Sequence, residues 1–366
     1  MTELEFIKLL DPVIAKVHCG HTELQYSDNF GNYIYENGLF IPFSINYLKA
    51  KAYIVRNYKE DISEYLGSEI ISINGVSAAE MLKKLYSNMN GDGFNTQNIL
   101  YTINHSPVST FSKLFNYTDS YNFQCIKPGE KNISDFKIKA IKYQEIQSVI
   151  EEKYPKEYIN FKFEKIDNLN TAVITITSFV KHDNSSFSEF LRSSFEQIFS
   201  LDIQNLIVDV RGNDGGHPDL AIDLLQYITD KDFVYFKTHI GNKWNDPIKP
   251  HERIFEGNLF ILFDGGCFST SGHFISLIKY HSIGTLIGQE SGSTFSCNDN
   301  SKSFVLPNTK IGGKVARTTF ETAVTGFRWD RGILPDHLVE SDLMDIIDGV
   351  DTIMEYALDL ISESIK

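Results

Sequence analysis

Two stretches of the sequence, both rich in glycine, carry residue types that can perform acyl transfer. In the first, Ser269, Thr270 and Ser271 follow the apolar run "NLFILF", within "FDGGCFSTSGHF". In the second, Gly215 and Gly216 follow the apolar run "NLIVDV", within "RGNDGG". A serine hydroxyl and glycine N–H donors on neighbouring turns supply a nucleophile and an oxyanion site. Taken alone, each stretch also has a structural explanation, a capped helix for the hydroxyls and a tight turn for the glycines.

Both stretches lie where apolar strands alternate with amphipathic helices. From about residue 158, the runs "TAVITITSF", "NLIVDVRG" and "NLFILFDGG" each precede a helical pattern. This alternation predicts a layered α/β core over residues 158–366, with parallel strands buried on both faces. Ligands bind at the carboxyl ends of the strands in such a sheet. The two stretches are therefore expected on adjacent turns at one edge of the sheet.

The chain before this core is predicted to have three parts. Apolar positions at helical spacing from Glu3 to Val17 predict a helix within residues 1–30. Residues 31–95 are predicted to be a small β-rich domain, since "GSEIISINGVSAAEMLKKLY" has the pattern of a strand, an Asn-Gly turn and an amphipathic helix. Residues 96–157 are poorly patterned and predict irregular connections with a few strands.

Composition argues against several classes of protein. The 366 residues are 42% hydrophobic, enough for one large core and a smaller unit. A formal net charge of -14 argues against nucleic-acid binding, which depends on Lys and Arg. No apolar run reaches the roughly 18 residues of a membrane helix, and no signal-peptide pattern is visible. The 4 cysteines include no CxxC pair, so no disulfide scaffold, metal or cofactor is expected.

An ordered set of short motifs resembles the S41 family of serine peptidases, the tail-specific or C-terminal processing peptidases. The motifs are "NLIVDVRGNDGG", "LFILFDGGCFSTSGHF", "TLIGQESGST", "SFVLPNTKI" and "GILPDHLVE", and "GSEIISINGVSAAEML" resembles the PDZ-like domain of many members. The resemblance implies a ClpP/crotonase-like core of ββα units and peptide hydrolysis through a serine acyl-enzyme. It also implies that Ser269 is the nucleophile, with an oxyanion hole formed by Thr270 N–H and a glycine of the Gly215–Gly216 pair.

A departure from the family pattern changes the predicted general base. Bacterial processing enzymes carry a motif resembling G-E-x-T-x-G-K-G, whose lysine is the base, but "GQESGSTFSC" from Gly288 to Cys297 contains no lysine. The tricorn-like branch instead uses a histidine before the PDZ-like domain, and His21 in "HCGHTEL" matches that position. A neutral imidazole can accept the serine proton and return it to the leaving amine. The alternatives are that His21 only caps a helix C-terminus, or that His273, four residues after Ser269, is the base.

The acid that orients the base is predicted from the same branch. Its members take a glutamate from a segment before a G-x-x-P-D stretch. The corresponding "GFRWDRGILPD" contains Asp330 and no glutamate, so Asp330 is the predicted substitute. The alternative is a structural salt bridge between Asp330 and Arg328 or Arg331.

The resemblance implies a serine endopeptidase that acts on peptides or unfolded proteins, with C-terminal tails among the candidate substrates. It also favours an extracytoplasmic bacterial location. Two other functions stay open. One is a binding module for apolar ligands, of the interphotoreceptor retinoid-binding type, which resembles the same family. The other is a scaffold that holds peptide tails by strand addition to the PDZ-like domain.

Overall fold

The computed structural model describes residues 1–154, 160–180, 184–237 and 243–364. Its helices are α1 (Glu3–Ala15), α2 (Asp28–Asn37), α3 (Ala78–Asn88), α4 (Gln97–His105), α5 (Pro107–Leu114), α6 (Tyr143–Lys153), α7 (Asn184–Ser200), α8 (Pro218–Ile228), α9 (Thr270–His281), α10 (Leu343–Asp348) and α11 (Thr352–Ser364). Its strands are β1 (Glu23–Gln25), β2 (Leu39–Phe40), β3 (Phe43–Leu48), β4 (Lys51–Asn57), β5 (Glu69–Ile73), β6 (Val76–Ser77), β7 (Ser120–Ile126), β8 (Ser134–Lys139), β9 (Ile141–Lys142), β10 (Phe161–Ile166), β11 (Thr171–Ile176), β12 (Asn205–Asp209), β13 (Asn258–Phe263), β14 (Thr285–Gly288), β15 (Ser296–Asp299), β16 (Lys302–Val305), β17 (Gly312–Val315), β18 (Thr318–Glu321) and β19 (His337–Leu338). No helix in these ranges is long and apolar enough to cross a membrane.

The sheet of the C-terminal half has the strand order β10-β11-β12-β13-β14-β19. Strand β10 is antiparallel to β11, and the remaining neighbours are parallel. Parallel neighbours need a crossover connection, and α7, α8 and α9 lie in the first three of these connections. Strands β12 and β13 are adjacent, so the loops that follow them leave the same edge of the sheet, as the sequence predicts.

Both faces of this sheet are covered. On β12, Leu206 and Val208 belong to the apolar cluster that includes residues of α7, α8 and α9. Ile207, between them, packs in a second cluster with residues of α11. Successive side chains of a strand point to opposite faces, so a strand covered on both sides is apolar at every position. This explains the continuous apolar runs that end at the two chemical loops.

A second sheet, with the order β3-β4-β5-β7-β8, forms the β-rich unit. Its predicted strand, Asn-Gly turn and helix are present as β5, the turn at 74–75, β6 and α3. Residues 96–157 contain the few strands that the sequence predicted, as β7 to β9, but also three helices that it did not predict, α4, α5 and α6. Helices α4 and α5 have only 9 and 8 residues, too short for the helical period to stand out from their polar side chains. Strands β7 and β8 continue the sheet past residue 95, where the sequence predicted a domain boundary.

The segment after α1 is attached to the C-terminal half of the chain. Strand β1 pairs antiparallel with β17, with Glu23 opposite Lys314. On the other side of the segment, the Gly93 N–H donates to the His18 carbonyl at 3.1 Å. These contacts hold the "CGHT" sequence between them, close to the loops that follow β13 and β14.

Candidate active site

Ser269 lies on a sharp turn between β13 and α9. It is the residue before the first turn of α9 and has φ 55 and ψ -120, while its side chain is largely buried. Positive φ is uncommon and strained for a residue other than glycine, and it persists only where the surroundings determine it. The strand and the helix hold both ends of this turn. Ser269 is thus presented at the carboxyl edge of the sheet.

The glycine pair lies directly against this serine. A Cβ atom built on Gly215 would lie 2.8 Å from Ser269 Cβ and 2.9 Å from Thr270 N. Gly215 has φ +100 and Gly216 has φ +138. Only glycine accommodates both the approach and these backbone angles. The structure therefore brings together Ser269, Thr270 and both glycines predicted from the sequence.

Hydrogen bonding distinguishes the two glycine donors. The Gly215 N–H is already used, since it donates to Asn213 Oδ1 at 2.9 Å. Within the described ranges, no acceptor lies within hydrogen-bond distance of the Gly216 N–H or the Thr270 N–H. The Thr270 hydroxyl donates to the Gly216 carbonyl at 2.6 Å and ties the two loops together. Of the three predicted donors, Gly216 and Thr270 are the pair with free N–H groups.

Asn213 holds the two loops in register, a role that sequence reasoning missed. Its Oδ1 accepts from Gly215 N and from the Ser271 hydroxyl at 2.6 Å, and its Nδ2 donates to the Ile176 carbonyl at 2.9 Å. Its backbone carbonyl accepts from Phe268 N at 3.0 Å. The side chain is fully buried. A buried asparagine with this many partners specifies one arrangement of its loop, and its position inside "RGNDGG" was the available signal.

His21 lies beside the nucleophile turn. Its ring stacks on the ring of Phe268, the residue before Ser269, with centroids 4.9 Å apart and an interplanar angle of 24°. A Cβ on Gly20 would lie 2.3 Å from Phe268 Cζ, so a glycine is required for this contact. The structure brings His21 to the site despite its distance from Ser269 in the sequence.

Two carboxylates surround the His21 segment. Asp299 Oδ2 lies 3.9 Å from His21 Nε2. Asp92 is buried and accepts from Gly20 N at 2.9 Å and from the Ser293 hydroxyl at 2.8 Å. Burial raises the pKa of the Asp92 carboxyl, while these N–H and O–H donors and nearby His21 oppose the increase. Sequence reasoning missed both residues, because neither occurs in a recognisable motif.

The carboxylate of Asp330 is not brought to His21. Both of its oxygens accept from Arg328, at 2.9 and 2.7 Å, which lowers the pKa of Asp330. This is the structural salt bridge that the sequence left as the alternative. The backbone of Asp330 contacts the segment that follows α3, where its carbonyl accepts from Phe94 N at 2.9 Å.

The sequence model described as "Peptidase family S41" matches residues 170–339 of this chain. This part of the chain, within the predicted α/β core, matches peptidase family S41. A curated relative, "Carboxy-terminal processing protease CtpB" of Bacillus subtilis (strain 168), is 25% identical over 191 residues, which are 51% of this chain and 32% of that protein. The chain thus spans about a third of the length of this relative.

Solved structures have a fold similar to that of this chain. The crystal structure of mature CPAF has a TM-score of 0.65 and 12% identity, and the match covers 98% of this chain and 88% of that chain. Mature CPAF complexed with lactacystin has a TM-score of 0.63 and 12% identity over the same shares. These likenesses, with the sheet topology above, confirm the predicted α/β fold with a ClpP/crotonase-like core and a PDZ-like unit.

His273, the second candidate base, is buried and lies in α9. Its Nε2 lies 3.4 Å from Cys297 Sγ, and the edge of its ring faces Phe236. Burial lowers the pKa of His273 to about 3, so the ring is neutral. Burial also raises the pKa of the Cys297 thiol, which a hydrogen bond with the Ser269 side chain opposes. The Cys297 thiol therefore lies between His273 and the serine, whereas His21 approaches through Phe268.

Proposed function

We propose that this protein is a serine endopeptidase, with Ser269 as nucleophile and His21 as general base. The observation that carries the proposal is the stacking of His21 on Phe268, next to a serine that has a free N–H donor on its own turn, Thr270, and a second on the adjacent loop, Gly216. Acyl transfer requires a nucleophile, a general base and oxyanion donors close together. In this protein they come from three separate segments of the chain. A pure binding module needs none of them.

In the proposed reaction, the Ser269 hydroxyl gives its proton to the neutral His21 ring as Oγ attacks the peptide carbonyl carbon. Negative charge then develops on the carbonyl oxygen, which accepts hydrogen bonds from the free N–H groups of Gly216 and Thr270. His21 then gives the proton to the leaving amine, and the C–N bond breaks to leave an acyl ester on Ser269. A water molecule, deprotonated by His21, hydrolyses the ester and restores the serine.

Asp299 is proposed to orient His21, in place of Asp330. Its carboxylate is the one found within 4 Å of the imidazole in the described part of the chain, at 3.9 Å from Nε2. A closer contact is expected when substrate binds, since catalytic hydrogen bonds are often long in ligand-free structures. Asp92 is proposed to hold the segment through Gly20 and not to contact the ring.

Unstructured peptides and C-terminal tails are the proposed substrates, and an extracytoplasmic location is part of the same proposal. The name of the relative CtpB, a carboxy-terminal processing protease, supports tails as the first substrates to test. Strand addition to β3 is not the proposed mode of binding. Tyr47 on this edge strand donates its N–H to Asn104 Oδ1 at 2.8 Å and accepts from Asn104 Nδ2 at 3.2 Å. The amide of Asn104 thus occupies the backbone groups that an added strand would use there.

A fluorophosphonate probe tests the proposal, because it labels only an activated serine. We expect the wild-type protein to be labelled and Ser269→Ala not to be. His21→Ala should be labelled at least about 10²-fold more slowly, the usual effect of losing a general base. Absence of labelling in the wild-type protein, or equal rates in His21→Ala, would overturn the mechanism. The first of these results would favour a binding module on the same fold.

A further inference from the structure

A cavity of about 1400 Å³ lies between the β-rich unit and the main sheet. The unit contributes Tyr47 and Arg56 to its walls, and the core contributes Asp264 and Leu338. Ser269 and His21 are not among the lining residues. The cavity is thus separate from the candidate active site, although Asp264 belongs to the same loop as Ser269. Its volume is more than enough for a small organic molecule or a short peptide.

Asp264 has one engaged oxygen and one free oxygen. Its Oδ1 accepts from Gly212 N and from Gly266 N, both at 2.9 Å. In the part of the chain that the structure describes, no donor lies within hydrogen-bond distance of Oδ2. Because Asp264 lines the cavity, the free oxygen is available to a ligand there. A carboxylate with an unfilled acceptor on the wall of a cavity favours a ligand that brings a donor or a positive charge.

The basic side chains beside Asp264 are already paired with other carboxylates. The Arg211 guanidinium donates to Asp209 Oδ1 at 2.9 Å and to Asp351 Oδ2 at 2.8 Å. Further along the wall, Arg331 donates to Glu290 Oε2 at 2.6 Å. Arg211 with its two carboxylates carries a net negative charge, and the Arg331 pair is neutral. With ionised Asp264, these groups therefore carry two more negative than positive charges, and Asp264 is the carboxylate among them that no basic side chain engages in the described structure.

Aromatic rings complete the recognition surface. Tyr101 lines the cavity next to Asp264, and a Cβ on Gly212 would lie 2.6 Å from its hydroxyl oxygen. Burial, and next the Asp264 charge, raise the pKa of the Tyr101 hydroxyl, so it is a neutral donor and acceptor. Other rings in the walls are Phe40, Tyr47, Tyr58, Tyr117 and Tyr143. Aromatic faces attract cations and also pack against aromatic ligands.

We propose that this cavity binds a primary ammonium group attached to an aromatic body, with Asp264 as its counter-ion. The ammonium donates to Asp264 Oδ2, and the aromatic body packs against the tyrosine rings. Two sources carry this chemistry: a free aromatic amine, or a peptide with an unblocked N-terminal aromatic residue. The binding does not depend on the proposed peptidase mechanism, and it is measured without turnover.

Binding should depend on pH through Asp264. Burial raises the pKa of its carboxyl to about 6, against the effect of the Gly212 and Gly266 N–H groups and of Arg211. The other titratable groups that face it are Asp209, Tyr101 and Cys267. Only the ionised carboxylate pairs with the ammonium, so affinity should be highest near pH 7.5 and should fall as the pH drops through about 6.

Calorimetric titration of the full chain with phenethylamine tests the site, with Phe-Gly-Gly-amide and its N-acetyl form as a second arm. We expect the amine to bind the wild-type protein and to bind Asp264→Asn at least about tenfold more weakly, since a buried charged hydrogen bond is lost. The amide of Asp264→Asn keeps an acceptor for the Gly212 and Gly266 N–H groups. Asp345→Asn is the matched control, because it removes a charge elsewhere in the lining whose Oδ2 already accepts from the Thr352 hydroxyl, and it should change affinity less than about twofold.

The two unblocked probes also distinguish the sources of the ammonium group. Stronger binding of the free peptide than of phenethylamine, with none of the acetylated peptide, identifies a peptide N-terminus as the source; the reverse order identifies a free amine. No binding of either unblocked probe to the wild-type protein at millimolar concentration overturns the proposal, as does equal binding to Asp264→Asn. If Asp264→Asn does not fold, the pH dependence of amine binding to the wild-type protein replaces it, and equal affinity at pH 4.5 and pH 7.5 overturns the proposal.

Discussion

The ring of His21 lies on the ring of Phe268, 4.9 Å between centroids, and Phe268 precedes Ser269 in the chain. The contact sets where the imidazole stands relative to the serine. We expect Phe268→Ala to slow fluorophosphonate labelling by about 10²-fold, the typical cost of a displacement of about 1 Å in a catalytic group. Phe94→Ala is the matched control. The Phe94 side chain is exposed, and its ring contacts the ring of His18 with centroids 4.5 Å apart. Equal rates in both variants would show that stacking does not position the base.

Variants of His21 and Lys279 should distinguish a histidine mechanism from a lysine mechanism. His21→Ala should lose labelling and peptidase activity while keeping its thermal transition, because the imidazole has no close hydrogen bond in the described structure. Lys279→Ala should keep its activity, since this lysine, the first after the nucleophile, is paired with Asp336. An inactive lysine variant beside an active histidine variant would contradict the assignment.

Gly215 should not tolerate a side chain. Gly215→Ala places a Cβ 2.8 Å from Ser269 Cβ and 2.9 Å from Thr270 N, at φ +100. We expect labelling to fall by about 10² to 10³-fold, comparable to the loss of an oxyanion donor, because the two loops must separate. Gly326→Ala is the control: its φ is +86, but nothing lies within 4 Å of the added atom. Gly326→Ala therefore introduces the backbone strain of a positive φ without a steric clash, and it should be labelled at the wild-type rate.

Two aspartates can be compared directly as partners of the base. Asp299→Asn should reduce kcat by about tenfold or more without a matching change in KM, because an orienting charge acts mainly in the transition state. Asp330→Asn should change neither constant by more than about twofold, since its carboxylate is engaged by Arg328 outside the site. If Asp330→Asn causes the larger loss of kcat, the sequence-based assignment is the correct one.

The stability of the protein should depend on the ionisation of Asp264. Its pKa is raised from 3.8 to about 6 by burial, so the folded state binds the proton more tightly than the unfolded state. The stabilisation from this proton is fully present below the unfolded value and is lost as the pH rises through about 6. The thermal midpoint of Asp264→Asn relative to the wild-type protein should therefore increase between pH 4.5 and pH 7.5. A constant difference across that range would contradict the raised pKa.

Much of the architecture could be predicted from the sequence. The alternation of apolar strands and amphipathic helices predicted the α/β core, and the ordered motifs predicted the S41 family, both now confirmed. The helices at 97–105 and 107–114 were missed, because short polar helices have little periodicity to detect. The roles of Ser269, His21 and the oxyanion donors stay predictions until the variants are measured.

The sequence by itself determined which loops carry the chemistry, because strand periodicity, glycine turns and helix starts depend on neighbouring residues. Only the tertiary structure decided which groups meet there. The pairing of Glu23 with Lys314 brings His21 to Ser269, and the β15 strand brings Asp299. It also decided that Arg328 engages Asp330 and that Asp264 keeps a free oxygen beside a cavity. These contacts join residues far apart in the chain, so their geometry arises from sheet pairing and packing and not from any local pattern.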